Sequence, residues 1–312
     1  MPETSFPVAA EDVGERVDVF LVHRIEGLGR ARAKALCEEG KVRVNGKRVA
    51  KGTRLFEGDV VSLDELPSPS RFEALPDPDL PLRIVFEDAD LVVVDKDPHV
   101  PSHPLRADER GTVASALVAR YPEMRGVGHS PREPGLVHRL DTGTSGLVIA
   151  ARNAQAFEAL TRDLRAGRID KRYLALVEGR VREGLVIDLP IAGDPSDPSR
   201  VRVVDDPSQA IRLRALPART EVITVSPLEG ARSLVEVRAR SARRHQVRVH
   251  LAWAGHPLLG DLRYGGPSVP GLDRHALHAS RLVFAHPRTG ETLTVASELP
   301  KDLADVARPS VG

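Results

Sequence analysis

The sequence predicts an α+β protein: a mixed, largely antiparallel β-sheet domain with flanking helices and loops, preceded by a small unit of helices and a β-hairpin. Three observations carry this expectation. Short β-rich apolar runs recur beyond residue 81, at 83–86, 91–94, 147–151, 173–177 and 235–237. Helical patterns interrupt them around 112–121 and 154–166, without the regular alternation of a doubly wound parallel sheet. A stretch with five prolines, from Pro67 to Pro81, separates this region from an N-terminal segment of different texture.

In that N-terminal segment, Val17, Phe20, Leu21 and Ile25 recur at helical spacing, as do Ala33, Leu36 and Cys37. Gly40 marks the end of the second helix. The run from Lys41 to Val49 alternates in period two around Asn45-Gly46, a strong hairpin signal. Val60 to Leu63 then reads as a short strand. These features predict a first domain over 8–66, a linker over 67–80 and a second domain over 81–312. Asp194 to Pro217, polar and proline-bearing, reads as a surface excursion.

Composition bounds the function classes. Of 312 residues, 41% are hydrophobic and 29% charged, ordinary values for a globular protein able to bury sizeable cores. The N-terminus lacks the basic flank and apolar run of a signal peptide. No apolar stretch approaches the ~18–20 residues that span a bilayer. The single cysteine, Cys37, makes neither an internal disulfide nor a zinc site, and packing in its helix is the simpler role. A cytoplasmic protein with no membrane contact is expected. Net charge is only +1, but nine basic residues and two acidic ones lie between Arg30 and Arg54. A second basic cluster comprises Arg238, Arg240, Arg243, Arg244 and Arg248. Either could be a solvated face or a phosphate-binding surface, since counterion release depends on local charge.

The segment from Gly135 to Ala151 reads as an apolar strand ending at Asp141, a turn rich in Thr, Gly and Ser, and a second apolar strand. Asp141 would then sit on a well-held loop at a strand end, with Arg139 on the same strand face. On these residues alone, a turn-forming aspartate beside a surface arginine explains the pattern equally well. A hydrolase triad from His138, Asp141 and Ser145 lacks the Gly-x-Ser-x-Gly elbow. His245 and His250 are five apart, without the spacing that places two metal ligands on one helical face. Trp253 is expected in the core or lining a groove.

The string His138-Arg139-Leu140-Asp141 followed by Thr144-Ser145-Gly146 resembles the active-site motif of RluA-type RNA pseudouridine synthases. The resemblance extends along nearly the whole chain. Leu91 to Pro104, with Lys96 and His103-Pro104, resembles one family segment, and Ile169 to Val177 resembles the segment bearing the active-site tyrosine. Arg243 to Leu251 is similar to the third motif; Gly255 to Asp261, Leu277 to Ala279 and His286 to Glu291 also match. Residues 16–63 resemble the alpha-L RNA-binding module of ribosomal protein S-four type. Departures fall at Asp97-Pro98-His99, at Thr142-Gly143, and at Ala242 and Arg244, which bear on RNA choice.

The resemblance implies Asp141 as the catalytic nucleophile, Tyr173 as the active-site tyrosine and Arg248 as the positively charged partner that pairs with Asp141. It implies RNA contacts through Arg139, Arg244 and His245, and through Arg30, Arg32, Lys34, Lys41, Arg43, Lys47 and Arg48 of the N-terminal module. Were the third motif helical, Arg244 and Arg248 would share a face away from the apolar stripe of Val247, Leu251 and Ala254. Pseudouridine formation breaks the base–sugar bond and remakes it through another ring carbon. It involves no redox change and no outside atom, so no metal and no organic cofactor is expected. The target base has to be extruded from folded RNA, and Tyr173 is the candidate for stacking on it. Large-subunit ribosomal RNA is the first expected partner and transfer RNA the second; a monomer is expected. The alternative, a non-catalytic RNA-binding or ribosome-assembly factor on the same scaffold, would be marked by loss of Asp141, Tyr173 or Arg248, and all three are present.

Overall fold

A computed structural model describes residues 4–25, 28, 30–64, 72–241 and 243–308, the side chains of residues 30 and 31 excepted. The chain divides into two compact units, Met1–Phe72 and Glu73–Gly312.

In the first unit, helices α1 (Val17–Arg24) and α2 (Arg30–Glu38) pack on a four-stranded antiparallel sheet of order β1-β4-β2-β3. Its strands are β1 (Thr4–Pro7), β2 (Val42–Val44), β3 (Lys47–Arg48) and β4 (Val60–Leu63). The apolar stripes read from sequence form one core: Val17, Phe20, Leu21 and Ile25 meet Ala33, Leu36 and Cys37 above Val42, Val61 and Leu63. Burial pushes the Cys37 thiol up to about 11, so it packs as an apolar group and is not a thiolate near neutral pH. The β2–β3 hairpin turns at Asn45 and Gly46, both with positive φ (51° and 76°), the twist-compatible turn that an Asn-Gly pair favours.

The second unit is built on a nine-stranded sheet running β5-β6-β7-β14-β8-β13-β12-β9, with β15 added to β14. The strands are β5 (Arg83–Glu87), β6 (Leu91–Lys96), β7 (Ser145–Ala151), β8 (Asp170–Glu178), β9 (Val186–Asp188), β12 (Arg219–Leu228), β13 (Arg232–Ala239), β14 (Leu277–Ala285) and β15 (Thr292–Ala296). A separate antiparallel pair, β10 (Ile191–Gly193) and β11 (Val201–Val203), precedes β12 in the chain. Every pairing of the large sheet is antiparallel except the short β7–β14 contact.

Strand alternation divides the core. Val92, Val94, Val148 and Ala150 face helix α3 (Val113–Arg120), whereas Leu91, Val93, Leu147 and Ile149 pack with Phe157 and Leu160 of α4 (Ala154–Arg165). Farther along the sheet, Ala175, Val177, Val235 and Val237 receive Val247 and Leu251 of helix α6 (Gln246–Trp253). Tyr173 packs against both the α3 and α6 clusters, at the point where they meet.

Gly146 permits the β7–β14 contact. It has φ +110°, and a Cβ there would lie 2.3 Å from the Ala279 carbonyl oxygen. Gly146→Ala is therefore expected to destabilise the second unit by about 2–4 kcal/mol, read as a lower urea midpoint at unchanged slope.

Several expectations need correction. Leu136 makes one isolated bridge to Ala150, and residues 137–140 are not a strand, so Asp141 does not end one. Consequently Arg139 and Asp141 share no strand face. Helix α6 begins at Gln246, so Arg244 precedes it, and Arg248 is buried rather than on an exposed face. The buried stripe of Val247 and Leu251 is as expected. Trp253 is 52% exposed and joins none of the cores formed among the described residues. The excursion over 194–217 is only partly superficial: β11 and the short helix α5 (Pro207–Arg212) lie within it, and Val201 and Val203 join a small core with Val249 and Tyr264.

Candidate active site

Asp141 opens a tight turn in which the Thr144 N–H donates to the Asp141 carbonyl (2.9 Å). The backbone on both sides is fixed by residues distant in sequence. Upstream, the Ser102 hydroxyl donates to the Leu140 carbonyl (2.8 Å) and accepts from the Leu140 N–H (3.1 Å). Downstream, the buried Lys96 ammonium donates to the Thr142 carbonyl (3.2 Å) and to the carbonyls of Asp97 and Val100 (2.9 and 2.8 Å). Arg274, itself held by both oxygens of Asp302, donates to the Gly143 carbonyl (3.0 Å). His275 hydrogen-bonds Thr144 Oγ1 (2.7 Å), and a Cβ on Gly143 would meet the His275 ring at 2.9 Å. The loop is thus as constrained as a strand, through long-range contacts rather than a ladder.

The Asp141 side chain is held from α6. Arg248 Nη1 donates to Asp141 Oδ2 (2.9 Å), while its Nε and Nη2 form a fork onto the two oxygens of Asp261 (2.7 and 2.9 Å). This uses the planar geometry of a guanidinium, which an ammonium does not have. Arg248 is 6% and Asp261 2% exposed, so the pair is a buried anchor, whereas the Asp141 side chain is 25% exposed. Tyr264 completes the support: its ring lies 5.2 Å from the Arg248 guanidinium, and its hydroxyl is 2.7 Å from His245 Nδ1. His245 caps α6 in the left-handed region (φ 53°), which brings Nε2 to 3.7 Å from Asp141 Oδ2.

Burial opposes ionisation of Asp141, yet the positive charge of His245 when protonated, that of Arg248 and the Arg248 hydrogen bond outweigh it. Its carboxyl lies below the usual carboxylate range. Burial, opposed by Asp141, takes His245 down to about 4, so Arg248 is the cation that faces Asp141 at neutral pH. Burial and the Asp141 charge both raise the Tyr173 phenol, which keeps its proton.

These groups line a cavity of about 350 Å³, within the range of small-molecule sites. Its walls include Asp141, Tyr173, His245 and Arg248, with His138 and Lys171 deeper in burial terms and Arg139, Arg243 and Arg244 also contributing. Arg139 is exposed and lies within 3.4 Å of both Glu133 and His103. Arg244 donates to the Pro198 carbonyl (3.0 Å). The hydrolase grouping is not assembled, since Ser145 Oγ pairs with His278 and His138 Nε2 accepts from the Ile149 N–H.

Ser102 and Asp261 fall within the family-like segments 91–104 and 255–261, and His275 lies just before 277–279, where sequence alone gives them no role; Tyr264 and Arg274 carry no local signal. Of the N-terminal cations, Arg32 and Lys41 pair with Glu39, Lys34 with Glu38 and Arg43 with Asp64, all at the surface. Lys47 and Arg48 are exposed on β3, and the Arg30 side chain lies outside the described residues. Away from the cavity, Asp88, Asp90 and His286 cluster, but Asp90 is held by Arg288 and Asn153, and Asp88 by two backbone N–H groups. This grouping is a structural network.

The buried histidines are expected to make the fold acid-sensitive. Burial takes His138 and His275 to about 3, and His245 and His250 to about 4. Unfolded histidine titrates near ~6.5. Below that pH the unfolded chain binds more protons than the folded one, so stability falls as pH drops from about 6.5 towards about 4. Urea unfolding from pH 7.5 to 4.5 is expected to show a rising proton uptake, approaching one per buried histidine; a flat profile would contradict it.

A constrained carboxylate kept ionised is the kind of group that covalent catalysis uses, and the arginines bordering its cavity suit an anionic substrate. The RNA pseudouridylate synthase family matches residues 90–253, and the S4 domain matches residues 15–61. This chain belongs to the RNA pseudouridine synthase family, and it carries an N-terminal S4 RNA-binding domain. It is 33% identical to the uncharacterized RNA pseudouridine synthase YlyB of Bacillus subtilis, over 98% of this chain and 97% of that protein. It is 34% identical to the ribosomal large subunit pseudouridine synthase D of Vibrio parahaemolyticus, over 95% of this chain and 91% of that protein. Among solved structures, Human RNA Pseudouridylate Synthase Domain Containing 1 is similar with a TM-score of 0.53 and 28% identity, covering 72% of this chain and 85% of that one.

Proposed function

We propose that this enzyme converts uridine to pseudouridine in large-subunit ribosomal RNA, with Asp141 as nucleophile. The observation that carries the reading is the Asp141–Arg248–Asp261 arrangement: one buried arginine is anchored by one carboxylate and presents the other, ionised, to the cavity. The ribosomal assignment draws on relatives such as the synthase D of Vibrio parahaemolyticus. The target base leaves its helix, at a cost of a few kcal/mol, and enters beside Tyr173. Arg139 and Arg244, at the cavity, meet the flanking phosphates, and His245 supports Asp141 from α6. The basic residues of the S4 unit add sequence-independent affinity. We assign the S4 domain to residues 8–66 and the catalytic domain to 81–312, and the working form to a monomer.

The reaction exchanges the C5 hydrogen of the target uracil for a bond to the sugar. RNA carrying tritium at uridine C5 should therefore release label to solvent. A large-subunit transcript is expected to release it stoichiometrically at one or a few sites. No release from any ribosomal or transfer RNA would favour the non-catalytic binding reading, and release from transfer RNA alone would reassign the substrate.

Tyr173 provides a finer check. Loss of stacking typically costs ~1–3 kcal/mol, so Tyr173→Ala should weaken engagement of the extruded base about 10–100-fold. Tyr173→Phe retains the ring, and single-turnover rates on the same RNA then isolate what the hydroxyl adds.

A further inference from the structure

Two buried lysines flank the site, and their hydrogen bonding differs. Lys96 has three donors and spends them on three carbonyls, those of Asp97, Val100 and Thr142; it is a structural brace. Lys171, on β8 two residues before Tyr173, is only 2% exposed and lines the cavity. Burial and the nearby Arg243 charge take its amine down to about 7, and among the described residues it makes one hydrogen bond, to the Ser241 carbonyl (3.1 Å). His138 also lines the cavity. Its Nε2 accepts from the Ile149 N–H (3.2 Å), which places its proton on Nδ1, and Nδ1 has no partner among the described residues. The two side chains are close enough for the Lys171 charge to disfavour protonation of His138.

Donors left unspent where they face a cavity mark where a ligand can supply acceptors. We propose that Lys171 and His138 read the target base, donating to the two carbonyl oxygens of uracil. This assignment rests on the proposed uridine chemistry of the same site. Uracil presents acceptors on both sides of its N3–H. Cytosine replaces one with an amino group, which would set donor against donor. The pair also suits the isomerisation itself. The N1–C1′ bond breaks, the C5–C1′ bond forms, a proton leaves C5 and one is taken up at N1. Turning the ring about its N3–C6 axis to present C5 interchanges O2 and O4, so two donors on that edge can hold substrate and product orientations alike. Lys171 and His138 are thus specificity residues, distinct from Asp141, which carries the covalent step.

The test crosses the protein donor with the base acceptor. Single-turnover rates are measured for wild type and Lys171→Met on RNA whose target is uridine, 2-thiouridine or 4-thiouridine, sulfur being a poorer acceptor than oxygen. Methionine keeps the length of the side chain and removes the donors, and thermal unfolding of the variant checks the fold. His138→Asn, which retains a donor near the Nδ1 position, is compared with His138→Leu. Wild type is expected to lose about 10–100-fold on at least one thio substrate, with Lys171→Met slow on uridine but insensitive to that same replacement. His138→Asn should retain more of the rate than His138→Leu. Equal thio penalties in wild type and Lys171→Met, with His138→Asn no better than His138→Leu, would overturn the proposal. The wild-type rate on uridine reports separately on the proposed function.

Discussion

Asp141→Asn is expected to abolish pseudouridine formation, by at least about 10⁴-fold in single-turnover rate, while leaving the protein folded. The substitution is close to isosteric, and its amide oxygen can still accept from Arg248 Nη1 at the 2.9 Å contact. Arg248 keeps its fork onto Asp261, so no buried cation is left without a counter-charge. What disappears is the anionic nucleophile. RNA affinity should change far less than the rate, because the S4 domain and the cavity arginines are untouched. A variant retaining more than about 1% of the wild-type rate would remove Asp141 from the covalent step.

The second large effect concerns stability and activity together. Arg248→Met leaves Asp261, only 2% exposed, as a buried carboxylate without its partner. Breaking such a pair from one side costs about 3–5 kcal/mol, and the expected result is a correspondingly lower unfolding midpoint with no measurable activity. Arg248→Lys does not rescue it, because an ammonium cannot span two carboxylates in one plane. The double variant Arg248→Met with Asp261→Leu removes both buried charges. It should recover much of the stability and none of the activity, since Asp141 then lacks the cation that holds it ionised and aimed. Recovery of activity in the double variant would mean that Arg248 serves the fold alone.

The parts of this protein legible in sequence are those written in local pattern. The helices over 17–25 and 33–37, the Asn45-Gly46 hairpin and the strands at 91–94 and 147–151 follow from periodicity and turn chemistry. Their apolar positions became the cores expected of them. The approach to Asp141 did not. Residues 136–140 are apolar enough to read as a strand, but the segment is held by Ser102, by a single bridge at Leu136 and by burial, none of which has a local signature. The same holds for the support of the candidate nucleophile. Asp261, Tyr264 and Arg274 lie more than a hundred residues from Asp141 and meet it only through tertiary packing. Arg244 shares no helical face with Arg248 for a different reason: the left-handed His245 starts the helix later than the apolar spacing implies. Trp253 is an apolar residue that the fold leaves at the surface, as folded proteins commonly do with some of their apolar side chains.

The most direct measurement is a pseudouridine map of total RNA from cells with the wild-type gene, with a deletion, and with the deletion complemented by Asp141→Asn. The expected result is a site in large-subunit ribosomal RNA that is lost in the deletion, restored by wild type and not by Asp141→Asn. A map unchanged by the deletion, or a site restored in full by Asp141→Asn, would contradict it.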